Sequence, residues 1–587
     1  MKLILAHYLR TLRERDEFDR LLPELLVEMG YVPLVKPQTG VRQYGVDFAA
    51  VGQSADDGVK ELLLFVIKQG DIGRSDWDGD DKTSVRPSLV EALDVYLTTH
   101  IAPEHSQLRK VIVVATTGDF KQEIHLNWKG FVESNQSRAS FQFWGGDHVA
   151  SLLESHLLNE NLFDAQDRLD LRKALALAGD RDYSFSDLLK VLRRQLGLNN
   201  DGSLTNPPLG KKQLAKAIRR VNLATQVCAH WAQADGDRRQ ALWVSERALL
   251  WTWHRIQLCD PADQKALYDP VSEIWTAYLD ASKQYFEVMQ QHFTVRDGMS
   301  GYCRENSEFS LVLFEHIGIL ATIGLSQALS PSSNDKTAKV REQNTHVLAD
   351  VLCDLIKNNE ASASPRLDRH AIDICLALLL LVSANHHTEA KDWLKDITYR
   401  LNFSFLRKRM FPICTDSLDD LVDFDVDGDE ESADTLMRTS WMLATVAGWC
   451  ALSGLDKSYE LLANAHAKEY PNVCPQLWHP TAEWPRQWYF KASHYEFGDS
   501  EAPYTLPMDP VELCSRVDEF HKLERYDWTS QSPTVQVGLS ALDFIACRHF
   551  QTPVPASFWY RVAKLVASTK IDTAVPAAPQ KLPQSGL

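Results

Sequence analysis

The chain has 587 residues, of which 44% are hydrophobic and 24% are charged. At about 150 residues per domain, this length predicts three or four domains, and the composition excludes a mostly disordered or fibrous chain. The 62 Lys and Arg residues against 79 Asp and Glu residues give a net charge of −17. That balance excludes a large basic nucleic-acid-binding coat, although it leaves room for a local basic patch.

The first 165 residues alternate between helix and strand patterns. Apolar residues at helical spacing predict a helix over 9–29 that ends at Gly30, with Pro23 as the point where it could break. Further helices are predicted over 88–101 and 147–158, and strands over 31–35, 45–51, 61–68, 110–115 and 140–144. The first strands can form a meander and the later ones a parallel portion. We therefore expect an α/β domain with a mixed sheet flanked by helices.

From about residue 166 onward, helical windows recur and strand patterns almost disappear. The sequence NNDGSLTNPPLG at 199–210 is the clearest linker, and no repeat of fixed period is found. We therefore divide the chain into an α/β domain (1–165), a helical connector with a basic stretch and the linker (166–235), a large all-α scaffold or interaction domain (236–570) and a flexible tail (571–587).

The cysteines and the hydropathy pattern bear on location. All ten cysteines lie between Cys228 and Cys547 without a CxxC pair, which favours reduced, mostly buried thiols and a cytoplasmic protein. No run approaches 18 consecutive apolar residues, and the start MKLILAH is too short for a signal peptide. We expect no membrane span.

Two charged residues stand in or at the end of apolar strands. Asp47 lies at the centre of QYGVDFAAV, and Lys68 ends the apolar run FVIK. A carboxylate in an apolar strand is costly unless it is paired or binds a metal. A carboxylate and an ammonium on adjacent strands can hold a divalent cation and a water for phosphodiester hydrolysis. The alternative is a structural Asp47–Lys68 ion pair at the sheet edge.

The order of the elements adds to this pattern. The pieces are Phe18-Asp19 on the first helix, Gly45-Val46-Asp47, then Phe65-Val66-Ile67-Lys68, and a last strand that runs into FWGGDHVASLL. Over roughly residues 10–160 this order resembles the PD-(D/E)XK nuclease superfamily, and its Mrr-type restriction endonuclease-like branch most closely. The resemblance implies a restriction-endonuclease-like fold with Mg²⁺ or Mn²⁺ as cofactor. It implies Asp47 as the metal-binding acid, Lys68 as the catalytic lysine and Asp19 as a supporting acid.

One residue departs from the family pattern. The position two before the lysine is Glu, Asp or Gln in that family, and here it is Val66, which shares a strand face with Lys68. Either another carboxylate substitutes (Asp19, Glu24 or Asp71), or the site is inactive and only the fold remains.

The sequence therefore supports two functions. The first is a Mg²⁺-dependent DNA endonuclease in cytoplasmic defence against foreign DNA, whose helical part binds a partner, oligomerises or senses a trigger. The second is a catalytically degenerate nuclease fold that serves as a non-enzymatic scaffold subunit of a defence complex. No P-loop sequence GxxxxGK[ST] occurs, so ATP-driven translocation would need a separate ATPase.

Nucleic-acid binding needs cations from outside the α/β domain. Residues 1–165 contain 17 Lys plus Arg and 25 Asp plus Glu, a net charge of −8, which disfavours unaided binding of a polyanion. Region 190–220 offers compensation through eight basic residues, unless these form a solvated helix face. They are Lys190, Arg193, Arg194, Lys211, Lys212, Lys216, Arg219 and Arg220.

Residues 416–434 carry ten acids and no base. The set from Asp423 to Asp434 follows the spacing of an EF-hand loop, but its last ligand is Asp where Glu usually binds in a bidentate manner. An acidic loop is therefore preferred to a Ca²⁺ site.

Overall fold

The structure is a computed structural model. It describes residues 2–12, 14, 18–35, 44–54, 57–79, 84–156, 165–180, 183–232, 238–303, 308–329, 335–408, 412–415, 418–427, 435–479, 488–490, 499–500, 505–523 and 532–568. The predicted tail at 571–587 lies outside these residues.

The chain folds into two compact units. Unit 1 comprises Met1–Asn199, Ser203–Asp235 and Pro261–Ala277, and unit 2 comprises Asn200–Gly202, Gly236–Asp260 and Tyr278–Leu587. The sequence analysis placed the first boundary at residue 165, whereas the compact units divide near residue 235.

Two side-chain contacts show why the predicted connector at 166–235 belongs to unit 1. The Tyr8 hydroxyl donates to Gln226 Oε1 at 2.9 Å. Lys216 Nζ lies 3.2 Å from Glu28 Oε2, whose side chain is almost fully buried. The connector therefore packs on the first two helices of the chain.

Unit 1 is built around a five-stranded sheet in the order β1-β2-β3-β4-β5. The strands are β1 (Val32–Val35), β2 (Phe48–Gln53), β3 (Lys60–Lys68), β4 (Arg109–Thr116) and β5 (Ser140–Trp144). The first three strands pair antiparallel, and β3, β4 and β5 pair parallel. The predicted mixed sheet, with its initial meander and later parallel portion, is confirmed.

Helices precede, connect and follow these strands. They are α1 (Lys2–Thr11), α2 (Asp19–Glu28), α3 (Arg74–Asp78), α4 (Val85–Glu91), a π-helical turn (Ala92–Tyr96), α5 (Leu97–Thr99), α6 (His125–Asn135), α7 (Gly146–His156), α8 (Ala165–Leu177), α9 (Ser186–Gln195) and α10 (Lys211–Trp231).

The single helix predicted over 9–29 is wrong, because α1 ends at Thr11 and α2 begins at Asp19. Helix α2 continues through Pro23, although proline removes a backbone hydrogen bond in a helix interior. Four buried leucines of this helix offset that cost by packing. They are Leu21, Leu22, Leu25 and Leu26.

The core of unit 1 lies on both faces of the sheet. Strand β3 is buried from Glu61 to Ile67, so its side chains are covered on either side. On one face Val66 packs in a cluster with Leu64, Val114 and Trp77. Phe48 and Phe65 stack at a centroid distance of 4.5 Å, and Trp144 packs edge-on against Phe65. This packing fixes the ends of β2 and β3, where the candidate site residues lie.

Helices α11 onward belong to unit 2, except that α12 and the first ten residues of α13 count with unit 1. The helices are α11 (Arg239–Gln257), α12 (Pro261–Ala266), α13 (Tyr268–Phe293), α14 (Phe309–Leu329), α15 (Asp335–Asn358), α16 (His370–Ser383), α17 (His387–Lys408), α18 (Leu418–Asp427), α19 (Trp441–Leu452), α20 (Asp456–Lys468), α21 (Pro510–Leu523), α22 (Pro533–Gln536), α23 (Ala541–Phe550) and α24 (Ala556–Ser568).

Two short strand pairs interrupt this helical array. They are β6 (Thr439–Ser440) with β7 (Cys474–Pro475), and β8 (Trp478–His479) with β9 (Asp499–Ser500). The large helical part predicted after the α/β domain is confirmed at this coarse level.

Helix α14 is the longest strongly apolar helix among the described residues of unit 2. It has the length and hydropathy of a membrane span, but 83% of its most apolar window is buried inside the fold. It packs against α15, α16 and α23, which is the arrangement of a core helix. All ten cysteines are free thiols, and five of them are buried.

Candidate active site

Asp47 lies where the chain enters β2. Its backbone N–H donates to the Phe65 carbonyl at 2.8 Å, and its Oδ2 accepts a hydrogen bond of 2.6 Å from the Ile67 N–H. Gly45 makes this entry possible: its φ is +77°, and a Cβ there would lie 2.1 Å from the Ser88 carbonyl oxygen. Only glycine fits this close approach, which fixes the Asp47 carboxylate beside the end of β3.

The environment of Asp47 disfavours its charged form. Burial raises the pKa of its carboxyl from the usual 3.8 to about 6. The Ile67 N–H and the Lys68 ammonium act in the opposite direction, while the negative charges of Glu14 and Asp19 raise the pKa further. A cation at this position would therefore stabilise the ionised carboxylate.

Lys68 ends β3 and is half-buried. Although its charge lowers the pKa of Asp47, no ion pair within 4.0 Å and no side-chain hydrogen bond involves its ammonium in the part of the chain that the structure describes. The structural Asp47–Lys68 ion pair, the alternative reading of the sequence, is thus absent among these residues. Both groups stay available to a third partner.

Two acids of the N-terminal helices act on Asp47. Asp19 is the first residue of α2, the second helix of the chain and not the first as expected, and Glu14 lies between α1 and α2. Both are half-buried, and both raise the pKa of Asp47 through their charge. Glu14 was not predicted as a site residue, because it fell inside a segment that was predicted as one continuous helix and because Asp19 matched the family position.

The other two candidates for the missing acid lie elsewhere. Burial, together with the charge of Glu273, raises the pKa of Glu24 well above its usual value, and Arg219 and Arg20 act in the opposite direction. Asp71 is exposed, and its Oδ1 accepts a hydrogen bond of 2.9 Å from the Asp119 N–H. The structure thus places Asp71 in a loop contact and Glu24 in a separate charged group.

Residue 66, where the family has an acid or Gln, is apolar and also has apolar surroundings. Val66 is 1% exposed and belongs to the core cluster below the sheet. Its side chain therefore leaves no room for a polar ligand at that point, and a second carboxylate for a metal must come from the N-terminal helices.

Five of the eight residues of the basic stretch are ion-paired within unit 1. Their acid partners at up to 3.6 Å are as follows: Asp187 for Lys190, Asp167 and Asp170 for Arg194, Asp263 for Lys211, Glu28 for Lys216, and Glu28 with Glu273 for Arg219. Arg220 donates to Gln195 Oε1, and burial lowers the pKa of Arg193. Lys212 is exposed and has no ion pair among the described residues. Most of the positive charge predicted here is compensated locally.

The acidic segment at 416–434 does not begin as an EF-hand loop. Asp423, Asp425 and Asp427 lie in the helix α18, whereas an EF-hand needs these positions in a turning loop. Glu431 and Asp434 lie outside the described residues.

The donor set at Asp47 suits Mg²⁺ held by few protein ligands. Among the described residues no three His, Cys, Asp or Glu side chains form a ready-made metal cage. Mg²⁺, however, is usually held by one or two carboxylates and completes its shell with water and substrate phosphates. Asp47 with Glu14 or Asp19 offers such a pair, because burial first and then the charges of these two acids raise the pKa of Asp47, and a cation there would oppose both effects. The residues present fit the ion.

No protein-family model, no curated protein and no solved structure matches the chain.

Proposed function

We propose that unit 1 is a Mg²⁺-dependent nuclease that hydrolyses phosphodiester bonds in DNA, in cytoplasmic defence against foreign DNA. The observation that carries the proposal is the half-buried carboxylate of Asp47 beside an ammonium, Lys68, that has no ion-pair partner in the described structure. A structural role would be expected to pair these charges, since unpaired buried charge is costly. The order of elements on which the resemblance rests, with a strand after Asp47, a strand that ends at Lys68, helices and two further strands, occurs in unit 1 and supports the finer assignment of the fold.

The residues divide the chemistry between them. Asp47, with Glu14 or Asp19, would hold the cation, and the Ile67 N–H fixes the orientation of the Asp47 carboxylate. A bound Mg²⁺ would supply neutralisation of the phosphate charge and a more acidic water. The Lys68 ammonium would orient the attacking water and offset the charge that develops on the phosphate. Val66 contributes no ligand.

The test is cleavage of supercoiled plasmid and of single-stranded DNA and RNA by the full chain, with Mg²⁺ or Mn²⁺ and with EDTA. Asp47→Asn and Lys68→Ala should each lower the cleavage rate by at least about a thousandfold, since each removes a group needed in the transition state. Glu14→Gln and Asp19→Asn identify the second carboxylate. Asp71→Asn is the matched control, because Asp71 is held by Asp119, and should stay near the wild-type rate.

A second function has its own support. The apolar Val66 at the acid position favours a nuclease fold that has lost catalysis and serves as a scaffold in a defence complex. Mn²⁺ binding measured by calorimetry separates the two: a scaffold should neither bind Mn²⁺ in a manner that depends on Asp47 nor cleave any of the three nucleic acids.

Testing nucleic-acid binding by region 190–220 requires a variant that does not break the ion pairs within unit 1. Reversing Arg194 would place an acid beside Asp167 and Asp170 and disturb the fold. Lys211→Ala with Lys212→Ala instead removes two exposed charges. If both contact phosphates, the slope of log affinity against log salt should become shallower by about 1.8, at about 0.9 per phosphate. An unchanged slope would assign nucleic-acid binding to a partner such as a separate ATPase or to a homo-oligomer.

A further inference from the structure

Unit 2 contains an arginine whose surroundings differ from those of every ion-paired arginine described above. Arg247 lies on α11, and its guanidinium carbon is 4.6 Å from the ring centroid of Trp243, 4.7 Å from that of Phe550 and 5.3 Å from that of Trp251. Trp251 and Phe550 are buried, whereas Arg247 and Trp243 are half-buried. Three rings thus pack near the planar cation, and the Arg247 side chain keeps partial access to solvent.

A chain of hydrogen bonds fixes the orientation of this guanidinium. Arg247 Nε donates to His549 Nε2 at 2.7 Å, and His549 Nδ1 lies 3.0 Å from Glu246 Oε2. Because Nε2 accepts, the proton of the imidazole must be on Nδ1, where it is donated to Glu246. Burial lowers the pKa of His549 to about 3, so the ring is neutral at pH 7. Arg247 is therefore held through a neutral ring and has no carboxylate of its own.

The carboxylate of Glu246, which is fully buried and ionised, is already paired with the neighbouring cation, Arg548. Arg548 forms an ion pair with Glu246 Oε1 and donates from Nε to Thr322 Oγ1 at 3.1 Å. Asp373, whose charge also acts on Arg548, is kept mostly protonated at pH 7 because burial raises its pKa to about 8. Glu315, the acid that acts on Asp373, pairs with Arg239 at 2.7 Å.

The charge balance is consequently uneven. Glu246 contributes one negative charge against the two positive charges of Arg247 and Arg548, which leaves an excess of one positive charge. The Nη1 and Nη2 groups of Arg247 have no hydrogen-bond or ion-pair partner anywhere in the described residues. A partly buried cation without a counter-ion is costly, and a bound anion would remove that cost.

We propose that Arg247 is the anchor of a binding site in unit 2 for an oxyanion, with the two Nη groups as its bidentate donors. Three ring centroids lie within 5.3 Å of the guanidinium carbon, and the two Nη groups have no partner among the described residues. A guanidinium can donate from these two groups to two oxygens of a phosphate or carboxylate. Trp243 is half-buried and stacks on His549 at a centroid distance of 5.0 Å, so it supports the ring that holds Arg247 Nε. The ligand is a small oxyanion such as a phosphate ester, and the site stands independently of nuclease activity in unit 1.

The experiment titrates the full chain with inorganic phosphate, with adenosine monophosphate and with succinate, against sodium chloride at equal ionic strength. Calorimetry and the thermal unfolding midpoint are the readouts. Wild type should bind phosphate saturably with a rise in the midpoint, because a ligand that binds only the folded state stabilises it. Tighter binding of the nucleotide would assign a ring-bearing ligand, and a preference for succinate would assign a carboxylate, both within the proposed oxyanion site.

Three variants decide whether Arg247 is responsible. Arg247→Leu should lose the saturable response while remaining folded, since it removes an uncompensated cation. Arg247→Lys keeps the charge but not the planar fork, and should weaken binding at least about tenfold. Arg400→Leu, which removes a half-buried arginine that pairs with Glu360 in the same unit, is the matched control and should respond as wild type. The proposal is overturned if no probe gives a saturable response in the wild type, or if Arg247→Leu responds as the wild type does.

Discussion

The two ends of β3 both carry charge that is partly or fully removed from water, and they treat it in opposite ways. At the beginning of the strand, Glu61 is 3% exposed and accepts hydrogen bonds from the Tyr31 hydroxyl at 2.7 Å and from Arg109 Nε at 2.9 Å. Arg109 also pairs with Asp57, which lowers the pKa of that carboxyl.

At the end of the strand, Asp47 receives one backbone hydrogen bond, and Lys68 has no ion pair among the described residues. The first arrangement uses the acceptors of its carboxylate within the protein and therefore stabilises the fold. The second leaves donors and acceptors unused, which is the condition for binding something else. The comparison of the two ends of β3 thus distinguishes charged groups that stabilise the fold from charged groups that can bind a ligand or take part in a reaction.

The largest effect should come from the glycines that flank the two ends. Gly45 and Gly58 have φ values of +77° and +70°, but a Cβ would meet the Ser88 backbone only at Gly45 and would have open space at Gly58. Gly58→Ala should cost about 1 kcal/mol for the left-handed conformation alone, and Gly45→Ala more than about 4 kcal/mol. Urea unfolding followed by circular dichroism measures both. Equal costs would show that the close approach to Ser88 can relax.

The next largest loss of stability should come from the beginning of β3, where the Glu61 carboxylate has its partners within the protein. Glu61→Ala leaves Arg109 without its buried partner and should destabilise unit 1 by about 3 kcal/mol. Lys68→Ala is the matched change at the other end and should stay within about 0.5 kcal/mol of wild type, because it breaks no ion pair in the described structure. The same unfolding experiment applies. A large loss on removal of Lys68 would mean that its ammonium is structural.

A smaller effect with the opposite sign is expected for Asp47→Asn. The pKa of Asp47 is about 6 in the folded chain and 3.8 as its ordinary value, so the folded state binds the proton more tightly. The carboxyl therefore adds stability below pH 3.8 and loses it as the pH rises through 6. Relative to wild type, Asp47→Asn should gain about 2 to 3 kcal/mol between pH 4 and pH 7. Thermal unfolding across this range measures the gain, and a difference independent of pH would contradict the assigned pKa.

The sequence predicted the sheet well because its strands are long apolar runs with clear ends. The position of Lys68 at the end of β3 followed from the same pattern, whereas Asp47, predicted inside a strand over 45–51, lies just before β2. The hydrogen bond between Arg109 and Glu61 could not be predicted, since the two residues are 48 positions apart in the sequence. Only the parallel register of β3 and β4 brings them together. Glu14 was missed for a similar reason: its influence on Asp47 depends on where α1 ends.

One helix that was not predicted has a clear pattern in the sequence. Helix α17 buries Ala390, Trp393, Leu394, Ile397 and Leu401, a clear helical spacing. Helices were nevertheless predicted only on either side of it, over 371–384 and 436–453. The ion pairs of the basic stretch, in contrast, had no signal in the sequence. Acids such as Glu28 and Asp263 come from distant parts of the chain, so a count of local charge overstated what the surface offers to a polyanion.

The burial of α14 has a consequence for the synthesis of the protein. This apolar helix ends at Leu329, but α23, which packs on it, begins about 210 residues later at Ala541. At a synthesis rate of 5–20 residues per second, α14 leaves the ribosome roughly 10 to 40 s before that cover exists. During this interval a helix with the hydropathy of a membrane span stands partly uncovered on the nascent chain. The protein should therefore depend on chaperones that shield apolar segments during translation, and slowing elongation between residues 330 and 540 should lower its soluble yield.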